Sequence, residues 1–290
     1  MKILVSTDSS CLINNTMLEK YDINLFPLNV IIDGEEFLDG VTINQEQLCE
    51  AMRGGKNIKT STPAYGTIIN YFDNLFSQGY EHIFHFTISS KLSSMYSLFE
   101  TIARVEYAKK LTIIDSYSLS SLMLSQVLYA YDEIQKGTSI EEICNKIEER
   151  KKFAQIFFIP ENLTALKNGG RISPAIAAIG NTIGIKPLIT LQDGELEKSK
   201  MIKNTKHTLT DKFDELTKEY SIEDYDYTIV SFDPKPTTYE YIYNYMVESL
   251  GKENIIQGIV PINVCAHCGP GTIGIMVTPK INHKSITQYM

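Results

Sequence analysis

Hydroxyl side chains gather into turns along this chain, each placed where a strand should end: Thr60, Ser61, Thr62 and Pro63; Ser89, Ser90, Lys91, Leu92, Ser93 and Ser94; Asp115 and Ser116. Near the other end stands His267, followed by Cys268, Gly269, Pro270 and Gly271. In open α/β sheets the carboxyl ends of strands expose main-chain N–H groups, and hydroxyls placed there can meet an anion. Anion binding is therefore the chemistry these residues suit. A carboxylate leaving water needs several donors at once, because an unpaired buried charge is costly, and hydroxyls with helix-start N–H groups supply them without a buried arginine. Taken singly, Thr60, Thr62 and Ser90 also suit simple capping of strand ends and turns.

A second chemistry uses the same residue types. Ser93 as nucleophile, His267 as base and Asp8 or Asp115 as the group orienting the histidine would make a serine hydrolase or acyltransferase. No Gly-x-Ser-x-Gly elbow supports it. Asn168, Gly169, Gly170 and Arg171 could meet phosphate, yet the full P-loop pattern is absent, and Arg171 could equally pair with a surface carboxylate. Cys265 and Cys268 have the spacing of a redox pair or half a zinc site. No second ligand pair accompanies them, and the segment reads as a turn into a strand, so reduced thiols are expected and neither metal nor cofactor. Gly269 and Gly271 are expected to permit close backbone approach or positive φ.

The elements that must position these residues alternate between β-rich runs and helix-period segments, a pattern of α/β folds with a mostly parallel sheet. Strands are expected at residues 3–7, 82–88 and 111–114, with a β-rich stretch over 23–32 turning at Asp33-Gly34 into a hairpin. Helices are expected over 92–109, 119–134 and 140–151 from apolar spacing. The composition changes near residues 156–160, which places a boundary between a domain of residues 1–158 and one of residues 159–290. Beyond it the sequence predicts a short helix closed by Gly170, a helix start at Ser173 and Pro174, and a hairpin over 186–202 turning at Asp193-Gly194. A helix, a strand over 227–232, a helix over 238–249 and strands over 254–260 and 272–277 complete a second α/β domain.

Composition narrows the function classes. The 290 residues are 43% hydrophobic and 21% charged, which is globular, and a net charge of −8 from 35 acidic and 27 basic residues leaves no positive stripe for nucleic acid. Lys2 is followed by only Ile3, Leu4 and Val5 before Ser6, too short a run for a signal peptide, and no run reaches the roughly 18 apolar residues of a membrane span. Five cysteines, an odd number, argue against a disulfide framework. A cytoplasmic protein is expected.

Asp8-Ser9-Ser10, Thr60-Ser61-Thr62-Pro63, the run from Ser89 to Tyr96, Asp115-Ser116, the run from Leu166 to Ile172 and the run from His267 to Gly271 occur in the order of the DegV family, which the chain resembles over essentially its whole length. The resemblance implies a two-domain α/β carrier with a fatty acid held in a tunnel between the domains, exchanged transiently at membrane surfaces. It implies presentation of the carboxylate to an ATP-dependent fatty acid kinase, with catalysis residing in that partner. By the same resemblance Thr60, Ser61, Thr62, Ser93, Ser94 and His267 hold the carboxylate, while Asp8, Ser9, Asp115, Ser116, Arg171 and Gly269 support the site or face the partner. Two departures stand out. The family commonly has Gln-Pro-Ser where this chain has Thr62-Pro63-Ala64, and Ser-Gly-Thr-Tyr where it has Ser93-Ser94-Met95-Tyr96, which removes one hydroxyl and alters bulk beside the head group.

Overall fold

The computed structural model describes residues 1–153, 155–161, 163–172, 185–232 and 237–290. The first half runs β1 (Ile3–Asp8), α1 (Asn15–Tyr21), β2 (Ile23–Phe26), β3 (Asn29–Ile32), β4 (Glu35–Leu38), α2 (Gln45–Arg53), β5 (Ile58–Ser61), α3 (Tyr65–Ser77), β6 (His82–Thr87), α4 (Met95–Glu106), β7 (Leu111–Asp115), α5 (Ser120–Gln135) and α6 (Ile140–Arg150). The second half has β8 (Gln155–Ile159), α7 (Leu163–Asn168), β9 (Lys186–Gln192), β10 (Glu195–Ile202), α8 (Thr205–Glu219), β11 (Tyr225–Ser231), α9 (Thr237–Leu250), β12 (Ile255–Ile259), α10 (Ile262–Cys268) and β13 (Ile273–Pro279). The helix start expected at Ser173 and Pro174 lies outside the described residues.

Strands β2-β1-β6-β7 form an all-parallel sheet in that order. Every residue of β6 is buried, as expected of a parallel strand covered on both faces. The chain leaves β1 toward β2 and returns on the other side as β6, so the strand order reverses between β1 and β6. Ligands of open α/β sheets sit outside the carboxyl ends at such a reversal, here beside Ser9, Ser10, Ile88 and Ser89. The β-rich stretch expected over 23–32 is divided at Pro27, which lacks a ladder donor. Its first part joins the parallel sheet, and β3 pairs antiparallel with β4 and β5 in a small separate sheet.

The second sheet has the order β10-β9-β8-β13-β11-β12, antiparallel except for β11 with β12. Both expected hairpins form, at Asp33-Gly34 and Asp193-Gly194. Strand β8 spans the expected 158/159 boundary and bonds along its length within the second sheet. After β13 the chain returns: Ile281, Ile286 and Tyr289 pack with Val5, Met17 and Phe84 of the first unit. One apolar cluster joins the two units, uniting Leu4, Phe26 and Ile83 with Ile156, Val230 and Met276.

Two local expectations are corrected. Residues 262–268 form a helix, not a turn into a strand: the Cys265 N–H donates to Pro261 O at 2.8 Å, and Ile262, Cys265 and Ala266 make one buried face. The helix expected from residue 92 begins at Met95, because Leu92 and Ser93 instead donate their N–H groups to Ser89 O at 2.9 and 3.1 Å in a preceding turn. Among the described residues no helix is long and apolar enough to cross a membrane.

Candidate functional site

A cavity with about 1090 Å³ of atom-free space, part of it open to solvent, lies between the carboxyl edge of the parallel sheet and the six-stranded sheet. Leu28, Ile88, Met95 and Leu119 wall one side, and Ile156, Phe158, Val230 and Met276 wall the other. Thr60, Ser61, Thr62, Ser93, Ser94, Arg171 and His267 all line it, so residues spread over more than 200 positions converge on one place.

Each arrives by a separate route. Thr60 and Ser61 end β5, and Thr62 follows as the chain leaves the ladder before Pro63. Thr60 Oγ1 and His267 Nε2 are 2.9 Å apart, bonding β5 to the last turn of α10. Thr62 Oγ1 and Ser94 Oγ meet at 3.1 Å across the exposed rim, and Ser93 Oγ accepts the Met95 N–H at 3.3 Å where α4 begins. Ser61 Oγ donates to Glu36 Oε1 at 3.1 Å, a carboxylate that also accepts from Asn29 Nδ2 at 2.6 Å. Glu36 is a neighbour that the sequence did not reveal.

Burial pushes the His267 imidazole down to about 4, and the charge of Arg171 adds to the effect, so the ring is neutral near pH 7 and offers one donor and one acceptor. The main chain around it is fitted closely. A Cβ at Gly169 would overlap His267 Nδ1, and Gly269, at φ +87°, takes a conformation that L side chains rarely adopt while its N–H donates to Cys265 O at 2.8 Å. Arg171 Nε donates to Leu92 O at 3.1 Å and its Nη1 to Gly169 O, tying the end of α7 to the turn before α4. Burial lowers the guanidinium's affinity for its proton, and among the described residues it forms no ion pair.

Asp8, Ser9, Asp115, Ser116 and Gly269 stand behind the cavity and do not line it. Asp8 accepts the Ser10 and Ile88 N–H groups at 2.8 and 2.7 Å, and burial pushes its carboxyl up to about 6 despite them. Asp115 accepts from Ser90 N at 3.0 Å and Tyr117 N at 3.1 Å, and Ser116 Oγ donates to Ser118 O at 3.0 Å, so these residues shape turns. Ser9 belongs to a buried network absent from the sequence reading. It donates to Asp39 Oδ2 at 2.9 Å, Asn263 Nδ2 donates to Ser9 Oγ at 3.1 Å, and Ser10 Oγ donates to Asn263 Oδ1 at 3.0 Å. Burial raises the Asp39 carboxyl.

Among the described residues no hydrogen bond joins His267 to Ser93, Asp8 or Asp115. His267 Nε2 is engaged by Thr60, and the hydrogen bonds described for Asp8 and Asp115 come from main-chain N–H groups elsewhere. Burial pushes the Cys268 thiol up to about 11 and the Cys265 thiol well above its ordinary value, so both are protonated and poorly reactive. Among the described residues no group of three or more His, Cys, Asp or Glu could hold a metal ion.

A family model for the DegV family of uncharacterised proteins matches residues 2–280. A DegV domain-containing protein of Mycoplasmopsis pulmonis is 30% identical over 288 residues, covering 99% of this chain and 98% of its own. Among solved structures, a fatty-acid-binding DegV family protein from Thermus thermophilus superposes with a TM-score of 0.85 at 21% identity, covering 96% of this chain and 100% of its own. A stearic-acid-binding protein of Eubacterium ventriosum does so with a TM-score of 0.83 at 24% identity, covering 97% of this chain and 99% of its own. These likenesses establish the α/β fold.

Proposed function

Since the chain belongs to the DegV family, we propose that it holds a long-chain fatty acid in the cavity between its sheets, with the carboxylate at the hydroxyl-lined rim. The observation that carries this reading is the polarity of the cavity: hydroxyls, a neutral imidazole and a guanidinium gather around Thr60, Ser93 and His267, and aliphatic walls extend beyond them. Two relatives of the same fold bind fatty acids, which supports it.

Each half of such a ligand has its own work. At about 0.8 kcal/mol per buried methylene, a long acyl chain gains roughly ten kcal/mol before ordering costs, enough for tight retention. Ser61, Thr62, Ser93 and Ser94 supply donors to the carboxylate, and Thr60 orients His267 so that the ring can contribute one more. The tail gives affinity and the rim gives orientation.

In this reading the chain presents its cargo and does not transform it. An exposed carboxylate oxygen attacks the γ-phosphorus of ATP held by a partner kinase, ADP leaves, and an acyl phosphate remains. Arg171, a cation that forms no ion pair among the described residues, faces the incoming phosphates from beside the rim. Loading and unloading occur by transient contact with membrane surfaces.

Native mass spectrometry of the purified full chain tests the reading. Release of an intact free fatty acid on denaturation supports a carrier, whereas an acyl group linked to Ser93 would establish the hydrolase or acyltransferase chemistry instead.

A further inference from the structure

The cavity wall carries a polar group that the carboxylate site does not use. Beyond the rim, three polar side chains of the described residues line the cavity: Asn263, Thr272 and Ser120. Asn263 is committed to Ser9, Ser10 and Asp39, and Thr272 Oγ1 donates to Cys268 O at 2.8 Å. Ser120 differs. It is 1% exposed, and its Oγ has no hydrogen-bond partner among the described residues.

Its main chain is held from both sides, with the Ser120 N–H donating to Ser10 O at 2.8 Å and Ser120 O accepting the Leu12 N–H at 3.2 Å. It also sits at φ +56°, a left-handed conformation uncommon for serine. The 16-residue helix α5 starts there without a side-chain cap from Leu119, so its amino-terminal partial charge adds to the polarity of the spot. Buried hydroxyls in native proteins nearly always find a partner. An acyl chain made only of methylenes passes Ser120 without giving it one.

We propose that the cavity is matched to long-chain fatty acids bearing a hydroxyl along the chain, with Ser120 Oγ as its hydrogen-bond partner; this rests on the fatty-acid reading above. Ser120 and a chain hydroxyl can each donate and accept, so either orientation of the bond serves. The rim then reads the carboxylate, and Ser120 reads the distance from it to the second oxygen.

The experiment is equilibrium binding of stearate and of a panel of mono-hydroxystearates differing in hydroxyl position to the full chain and to the Ser120→Ala and Ser120→Gly variants. Glycine accepts the left-handed backbone, so the second variant removes the hydroxyl without strain. Expected is one hydroxyl position that binds the wild type at least as tightly as stearate does. Both variants should lose about fivefold for that isomer, the size of one neutral hydrogen bond, and hold stearate unchanged or tighter. Every hydroxystearate binding the wild type more weakly than stearate, or both variants shifting all ligands equally, overturns the assignment of Ser120. Failure of stearate and every hydroxystearate to bind the wild type overturns the fatty-acid reading, and this inference with it.

Discussion

Replacing Gly169, which does not itself line the cavity, by alanine moves His267, which does. The backbone at Gly169 is outside the left-handed region, so alanine introduces no conformational strain of its own. Its Cβ, however, would overlap His267 Nδ1 and lie 3.0 Å from the ring's Cε1 and 3.2 Å from Ala165 O. The main chain has little room to yield, because the Gly169 N–H donates to Ala165 O at 2.9 Å. The ring must turn, and the 2.9 Å bond between its Nε2 and Thr60 is lost. One hydrogen bond to a bound carboxylate is worth about 1.5–3 kcal/mol, so Gly169→Ala should weaken fatty-acid binding by roughly ten- to a hundredfold. Calorimetric titration of Gly169→Ala, His267→Ala and the double variant checks the route as well as the size. Once the ring is gone its space takes the new methyl, and the double variant should match His267→Ala within about twofold. Wild-type affinity in Gly169→Ala, or losses that multiply in the double variant, would show that the glycine does not act through the histidine.

Ser93→Ala should leave the fold intact, by circular dichroism, and weaken fatty-acid binding about tenfold in the same titration. Glu36→Gln removes a negative charge beside Ser61 and should tighten binding about threefold at low ionic strength, the gain fading as salt is added. Arg171→Ala should slow acyl-phosphate formation with a matching kinase more than it accelerates loss of lipid, measured in parallel on one preparation. The folded chain refuses a proton on His267 until about pH 4, whereas the unfolded chain takes it near 6.5, so the stability tied to the neutral ring is complete above about 6.5 and is lost as pH falls toward 4. The wild type's advantage over His267→Ala in urea midpoints should therefore shrink across that window, with His85 cancelling because both proteins contain it.

What the sequence could reveal follows from the range of the interactions involved. The two hairpins rest on the Asp-Gly dipeptides at 33–34 and 193–194, a local signal, and both are where the sequence predicts them. Thr60, Ser93 and His267 were visible as residue types and come together in one cavity. Helix α2 and strand β5 received no assignment, although Asn44 and Gln47 form a capping box that is readable as Asn-x-x-Gln. Helix α10 has only seven residues, too few for its buried face to show a period, and the Gly269-Pro270-Gly271 run that follows it reads as a turn. Asp39 and Asn263 were invisible for another reason: 224 positions separate them, and no spacing rule reaches that far. Ser120 is one serine among several, and what marks it, a hydroxyl on the cavity wall with no hydrogen-bond partner among the described residues, exists only in the folded chain.

The apolar cluster that unites the two units is the same one whose residues wall the cavity, Ile88, Met95, Ile156, Val230 and Met276 among them. If a fatty acid is held there as proposed, the cargo is a removable portion of the molecule's own interior. Occupancy and cohesion then become a single variable: a filled copy has its halves glued by the lipid, and an empty one opens more readily by the free energy the lipid had contributed. A cell that degrades whatever opens would clear empty carriers first. The amount of this protein would then follow the supply of acyl chains, with no sensor beyond the hollow between the sheets.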